Sequence, residues 1–228
     1  MRDVDWLRVI DGYCERTDPS YWSEPLNALS NASFLVAAWA SWRLAARAGD
    51  RGGKALAAIL ALIGVGSWLF HTHAQVWAML LDVAPIQAFI LVYIGLATVR
   101  FFAAPWWAGV LAAAAFVPAS AAVASGIGAL FGPLNGSTGY LPVPILILGY
   151  AAALYRRAPE AARGLAIGAG MLVVSLVFRT IDEAVCAAFP AGTHFLWHLM
   201  NGAMLWWMVR VLVRFGPGAR LARGGGAG

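Results

Sequence analysis

The chain has 228 residues, 61% of them hydrophobic and 12% charged, with a formal net charge of +5 and a mean hydropathy of +0.71. Soluble domains carry about a quarter charged residues, so this composition excludes an ordinary cytosolic domain and indicates a membrane protein. The positive balance does not point to nucleic acid, because basic residues fall in short clusters between apolar runs, as expected of loops lying against an anionic inner leaflet.

A membrane-crossing helix needs ~20 predominantly apolar residues. Candidate stretches, in chain order, run from Glu24 to Leu44, Ala55 to His73, Asp82 to Val99, Pro105 to Ser125, Tyr140 to Tyr155, Gly164 to Ala187 and His194 to Val213. Pro118 interrupts the fourth, and the fifth is short. The expected fold is all-α, a seven-transmembrane-helix bundle forming one domain over residues 24–214. Residues 1–23 form an extracytoplasmic segment with no apolar run typical of a cleavable signal, and the Gly-rich residues 215–228 read as a disordered cytoplasmic tail.

Charge placement gives an orientation. Arg43, Arg47, Arg51 and Lys54 fill the first connection, Arg100 the third, Arg156, Arg157 and Arg163 the fifth, and Arg210, Arg214, Arg220 and Arg223 the end of the chain. The second, fourth and sixth connections hold no Lys or Arg. This alternation predicts an outside N-terminus and a cytoplasmic C-terminus, in a bacterial inner membrane or an equivalent one.

The same topology brings the unusual polar residues to the extracytoplasmic end: Ser67, His71, His73, Asp82, Arg179, Asp182, Glu183, His194 and His198. Ionisable groups in apolar spans are costly and mark function by default. Four-residue spacing puts Ser67 and His71 on one helix face, and His194 and His198 on another. Three imidazoles from two helices, with a carboxylate and a hydroxyl nearby, make the inventory of a catalytic zinc site with one open position. His73 lies two residues from His71 and does not share its face, which suits an interfacial or supporting group. Arg179 requires a partner, and Asp182 one turn on is the expected one. Trp197 is placed to pack against substrate or neighbouring helices.

Cys14 and Cys186 both fall on the side where disulfides persist; one bridge or two thiols on the apolar side are the alternatives. Asp11, Glu15, Asp18 and Glu24 gather hard oxygen ligands in a short irregular segment containing Gly12 and Pro19. Calcium takes six to eight such oxygens; the alternative is an acidic outer segment balanced by Arg2, Arg8 and Arg16.

Together, Tyr13-Cys14-Glu15, Glu24-x-x-Asn27-x-x-Ser30-Asn31, Gly66-Ser67-x-x-Phe70-His71, Asp82-x-x-Pro85, Asp182-x-x-x-Cys186 and His194-Phe-Leu-Trp197-His198 resemble the alkaline ceramidase family. That family belongs to a superfamily of seven-helix membrane hydrolases that includes adiponectin-type receptors, and the resemblance spans nearly the whole chain. It implies zinc held by His71, His194 and His198, with Ser67 and Asp82 completing the active site. It also implies a Cys14–Cys186 disulfide and calcium on the amino-terminal loop, with Glu15 and Glu24 at matching positions. Asp11, Tyr13 and Asp18 complete the candidate calcium set. Here the loop departs from the animal pattern: Tyr13 replaces Trp, Gly12 sits where an Asp is expected, Thr17 occupies the Asn position, and the stretch before Glu24 is shorter.

The expected function is zinc-dependent hydrolysis of ceramide or a related N-acyl lipid. The expected partner is therefore a membrane lipid substrate, with neither nucleic acid nor an obligate protein partner. A lipid-binding receptor with structural zinc, a phospholipid acyl hydrolase of the same superfamily, and a membrane cytochrome are the competing readings. His-x3-His on a single helix argues against the cytochrome, because axial haem ligands lie on opposite faces of the iron.

Overall fold

A computed structural model describes residues 4–216 of the chain. Among them there is no strand, only an isolated antiparallel bridge between Val9 and Gln75. The helices are α1 (Pro25–Ser30), α2 (Ala32–Arg47), α3 (Arg51–His73), α4 (Val76–Phe102), α5 (Trp106–Phe131), α6 (Pro142–Leu154), α7 (Pro159–Val185) and α8 (His194–Phe215). A 3-10 segment, Leu134–Gly139, precedes α6. From residue 217 onward, the expected tail lies outside the described residues.

Local chemistry accounts for several of these boundaries. Asp50 caps α3 by accepting the Gly53 N–H at 2.8 Å, and Ala74 ends the same helix in the left-handed conformation. Prolines occupy the first turns of α1, α6 and α7, where a missing N–H is harmless. Pro85 and Pro118 sit inside α4 and α5 without ending them. The expected interruption at Pro118 is thus absent; helices in apolar surroundings absorb a proline because neighbouring groups re-satisfy the freed carbonyl.

Among the described residues, five elements are long and apolar enough to cross a membrane: Arg51–His73, Val76–Phe102, Trp106–Phe131, Leu134–Leu154 and Pro159–Val185. The first and last expected spans are not among them. The first is divided at Asn31 into α1 and the 16-residue α2, while in α8 His194, His198, Asn201 and three Trp dilute the apolar content. Val36, Leu62, Leu111, Val117, Leu130 and Val177 are exposed on the outer helix faces. An apolar exterior of this extent is unfavourable in water and suits lipid.

α3 packs against α2 and α4, and α8 packs against α2 and α7. The resulting core is built on residues such as Phe34, Leu56, Leu60, Leu165 and Leu212. The α2–α3 turn, the end of α4, the start of α7 and the end of α8 carry most of the described basic residues. Arg100 there makes a bidentate pair with Asp50 (2.5 and 2.7 Å). The opposite end gathers the end of α3, the starts of α1, α4 and α8, the end of α7 and the amino-terminal segment. That segment is strapped over the α3–α4 turn by Ile10 N–H to Ala74 O (2.7 Å) and Val76 N–H to Arg8 O (3.2 Å).

One glycine decides how closely α3 approaches α4. A Cβ on Gly66 would overlap the Leu81 carbonyl, so only glycine lets the backbones meet where Ser67 and Asp82 face each other. Gly66→Ala is expected to force the helices apart and lower stability by about 1–3 kcal/mol, the usual effect of overpacking. Thermal unfolding in detergent reads this directly, and an unchanged midpoint would contradict it.

Candidate metal centre

His71 stands on the last turn of α3, and His194 and His198 on the first two turns of α8. One ring nitrogen from each lies within 4.8 Å of the others, and all three residues are at most 1% exposed. The ring centroids are 4.6–5.1 Å apart. Their outer nitrogens are already engaged in two cases. His71 Nδ1 meets Glu24 Oε2 at 2.6 Å, and His198 Nδ1 meets Ser30 Oγ at 2.7 Å.

The Nε2 atoms of His71 and His198 and Nδ1 of His194 have no hydrogen-bond partner, nor do Ser67 Oγ and Asp82 Oδ1. A buried unsatisfied polar atom costs roughly 1–3 kcal/mol, so several around one imidazole cluster call for an occupant. Three convergent imidazoles fit a divalent metal ion. The carboxylate behind His71 is the usual support that fixes a ligand imidazole's tautomer, here with Nδ1–H donating to Glu24.

Tyr13 and Trp197 hold His194 between them, with ring centroids at 3.8 and 5.1 Å. The Arg179 guanidinium lies 5.5–5.7 Å from the rings of Tyr13, Tyr140 and Trp197 and donates to the Tyr13 hydroxyl at 3.0 Å. The expected Arg179–Asp182 pair does not form. Asp182 instead accepts the backbone N–H groups of Thr193 (2.6 Å), His194 (2.9 Å) and Cys14 (3.0 Å). A carboxylate at the N-terminus of α8 satisfies otherwise orphaned donors and meets the positive end of the helix dipole. Gly192, at φ +62°, makes the approach possible, since a Cβ there would collide with Asp182.

Cys14 and Cys186 form the disulfide, with Cα atoms 5.3 Å apart. It binds the amino-terminal segment to the end of α7 next to Tyr13. His73 stays out of the cluster, packing between Tyr21 and Trp77.

The candidate calcium ligands are not brought together. Glu24 is turned inward to Arg16 and His71. Glu15 accepts the Leu26 and Asn27 N–H groups at the start of α1 (2.7 and 2.8 Å), and burial pushes its carboxyl upward. Asp18 accepts the Ser20 N–H at 2.7 Å, and hydrogen bonding to Ser20 holds it below the usual carboxylate range. Asp11 is exposed, and Tyr13 belongs to the imidazole cluster. In this arrangement the Arg16 guanidinium takes up Glu24 Oε1 and the Asp18 carbonyl, and backbone N–H groups take up Glu15, so the set is already satisfied without calcium.

The roles of Arg16, Ser30, Asp182 and the Tyr13 ring were not visible in the sequence. Asn27, Ser30 and Asn31, polar residues at the start of an apolar helix, were the available signal. No protein family model matches the chain, and a search of the curated proteins finds no match.

Purified protein is expected to carry one divalent ion per chain by elemental analysis. His71→Ala, His194→Ala and His198→Ala should each reduce occupancy well below stoichiometric. Full occupancy in all three variants would contradict the assignment.

Proposed function

We propose that the chain is a zinc-dependent intramembrane amidase that hydrolyses ceramide or a related N-acyl lipid to a fatty acid and a sphingoid base. The resemblance to the alkaline ceramidases suggests the activity, and one observation carries it: the faces that bear the polar cluster continue directly into an apolar cavity. Below Asp82 on α4 come Ile86, Phe89, Ile90 and Tyr93, and below His198 on α8 come Asn201, Met204, Leu205 and Met208, all lining the same space. Helical spacing of three and four residues keeps each series on one face. From His198 to Met208 the α-helical rise gives a depth of about 15 Å, room for much of an extended acyl chain. A polar reaction centre above a greasy channel suits a substrate with a polar linkage and a long tail.

In this reading α1 and α2 together form the first of seven spans and α8 the last. The positive-inside bias then sets the basic end of the bundle in the cytoplasm and the imidazoles toward the exoplasmic side. Zinc is the favoured metal because three nitrogen donors with an open position are its catalytic arrangement.

A bound zinc ion would supply Lewis acidity toward an acyl carbonyl and activate water near neutral pH. Asp82 accepts a proton from the attacking water and returns it to the departing amine nitrogen. Ser67 donates its hydroxyl to the acyl oxygen as negative charge develops there, an effect of roughly 3 kcal/mol. Glu24 and Ser30 keep the rings of His71 and His198 in register, and Tyr13, Trp197 and the disulfide cover the site against bulk water.

Detergent-purified protein should release fatty acid from labelled ceramide, lose this activity to a chelator and regain it with zinc. Asp82→Asn is expected to lower kcat by about 10²-fold or more, and Ser67→Ala by roughly 10²-fold. Full turnover in Asp82→Asn, or release from phospholipid but from no N-acyl lipid, would overturn the proposal. Filling the cavity with Ile86→Trp should shift preference toward shorter acyl chains, read as the ratio of kcat/KM across a chain-length series. An unchanged ratio would place the tail elsewhere.

A further inference from the structure

The amino-terminal loop holds a cation, and that cation is a side chain. Arg16 is 7% exposed. Its Nε donates to Glu24 Oε1 at 2.5 Å, Nη1 to the Asp18 and Ser20 carbonyls at 3.1 and 3.5 Å, and Nη2 to the His71 carbonyl at 3.1 Å. One carboxylate oxygen and three backbone carbonyls, two from the loop and one from the end of α3, are oxygens of the kind a hard divalent ion would collect. Here a planar, permanently charged fork collects them.

The arrangement reaches the imidazole cluster by two routes. The second oxygen of Glu24 receives the His71 ring at Nδ1 (2.6 Å) and the Asn27 amide (3.1 Å), while the guanidinium holds the His71 backbone carbonyl. Both the ring and the main chain of His71 are therefore referred to one buried positive charge. Without that charge Glu24, itself 2% exposed, would be a buried carboxylate whose sole ionic partner is the imidazole it positions.

We propose that Arg16 does the work of a resident divalent cation: it organises the amino-terminal loop without calcium and is the positioning residue that, through Glu24, sets His71 for metal binding. This rests on the reading of His71, His194 and His198 as metal ligands. The two can fail separately, because the loop's independence from calcium is measured without reference to the imidazole site.

The full chain in detergent is used for both arms. In the first, thermal unfolding of the wild type is compared in millimolar calcium and in a calcium-selective chelator, with calcium content measured on the same sample. No shift and no stoichiometric calcium are expected; a calcium-dependent midpoint or one bound calcium per chain would overturn the proposal. In the second, zinc affinity is measured by competition with a chromophoric chelator. Arg16→Ala is expected to weaken zinc binding by about 10–100-fold, the usual effect of losing support behind a metal ligand. Arg16→Lys, which keeps the charge, should recover most of it. In a Glu24→Gln background, Arg16→Ala should add little further loss, because residues acting through one another are not additive. Unchanged affinity in Arg16→Ala, or fully additive losses in the double variant, would refute the positioning role. If Arg16→Ala does not fold, Arg16→Lys against Glu24→Gln and the calcium arm still decide. A wild type that binds no zinc would overturn the metal centre itself and leave the first arm standing.

Discussion

Three convergent imidazoles lie inside a bundle whose core and exterior are apolar, and each carries a buried nitrogen without a hydrogen-bond partner, as Ser67 and Asp82 carry a buried oxygen. Such a cluster is unfavourable unless something compensates it, and much of the surrounding architecture orders these groups. Glu24 and Ser30 back two of the rings, Asp182 ties down the start of α8, and the disulfide fixes Tyr13 against His194. Rigid support of this kind is spent on groups that must meet a metal or a substrate in one geometry.

The bundle separates its charges by end. Most basic residues and the Asp50–Arg100 pair occupy one end, and the imidazoles with the buried acidic groups occupy the other. Between them, the inward faces of α4 and α8 line an apolar cavity. Polar centre, greasy channel and lipid-facing exterior together fit the proposed lipid amidase more readily than a water-soluble substrate would. Two cations at the polar end are internal: Arg16 beneath the amino-terminal loop, and Arg179 among three aromatic rings. Each neutralises or screens buried acidic character without an exposed salt bridge.

Much of this was legible in the sequence because it rests on local periodicity. Apolar runs marked where the helices lie, although α4 begins six residues before the expected start and α5 ends six residues after the expected end, and four-residue spacing put His194 beside His198 and Ser67 beside His71. Segregation of polar residues to alternate connections foreshadowed the single polar end. What stayed hidden depends on contacts between distant segments. Glu24 reads as one more acidic residue of a loop, yet its partner His71 lies 47 positions away. Asp182 seemed paired to Arg179 by helical spacing, but the competing donors were backbone N–H groups, which no residue type announces. Arg16 looked like charge balance, whereas burial made it the organising centre of its loop. The division at Asn31 and the polar content of α8 likewise left only five of the described elements with unmistakable spanning character.

The most direct test is X-ray absorption spectroscopy at the zinc edge on purified, zinc-loaded protein. The proposed centre requires about three imidazole nitrogens at roughly 2.0–2.1 Å and one oxygen donor, with no sulfur. A spectrum with fewer than three imidazoles, or with thiolate ligation, would contradict the central claim that α3 and α8 jointly hold the metal.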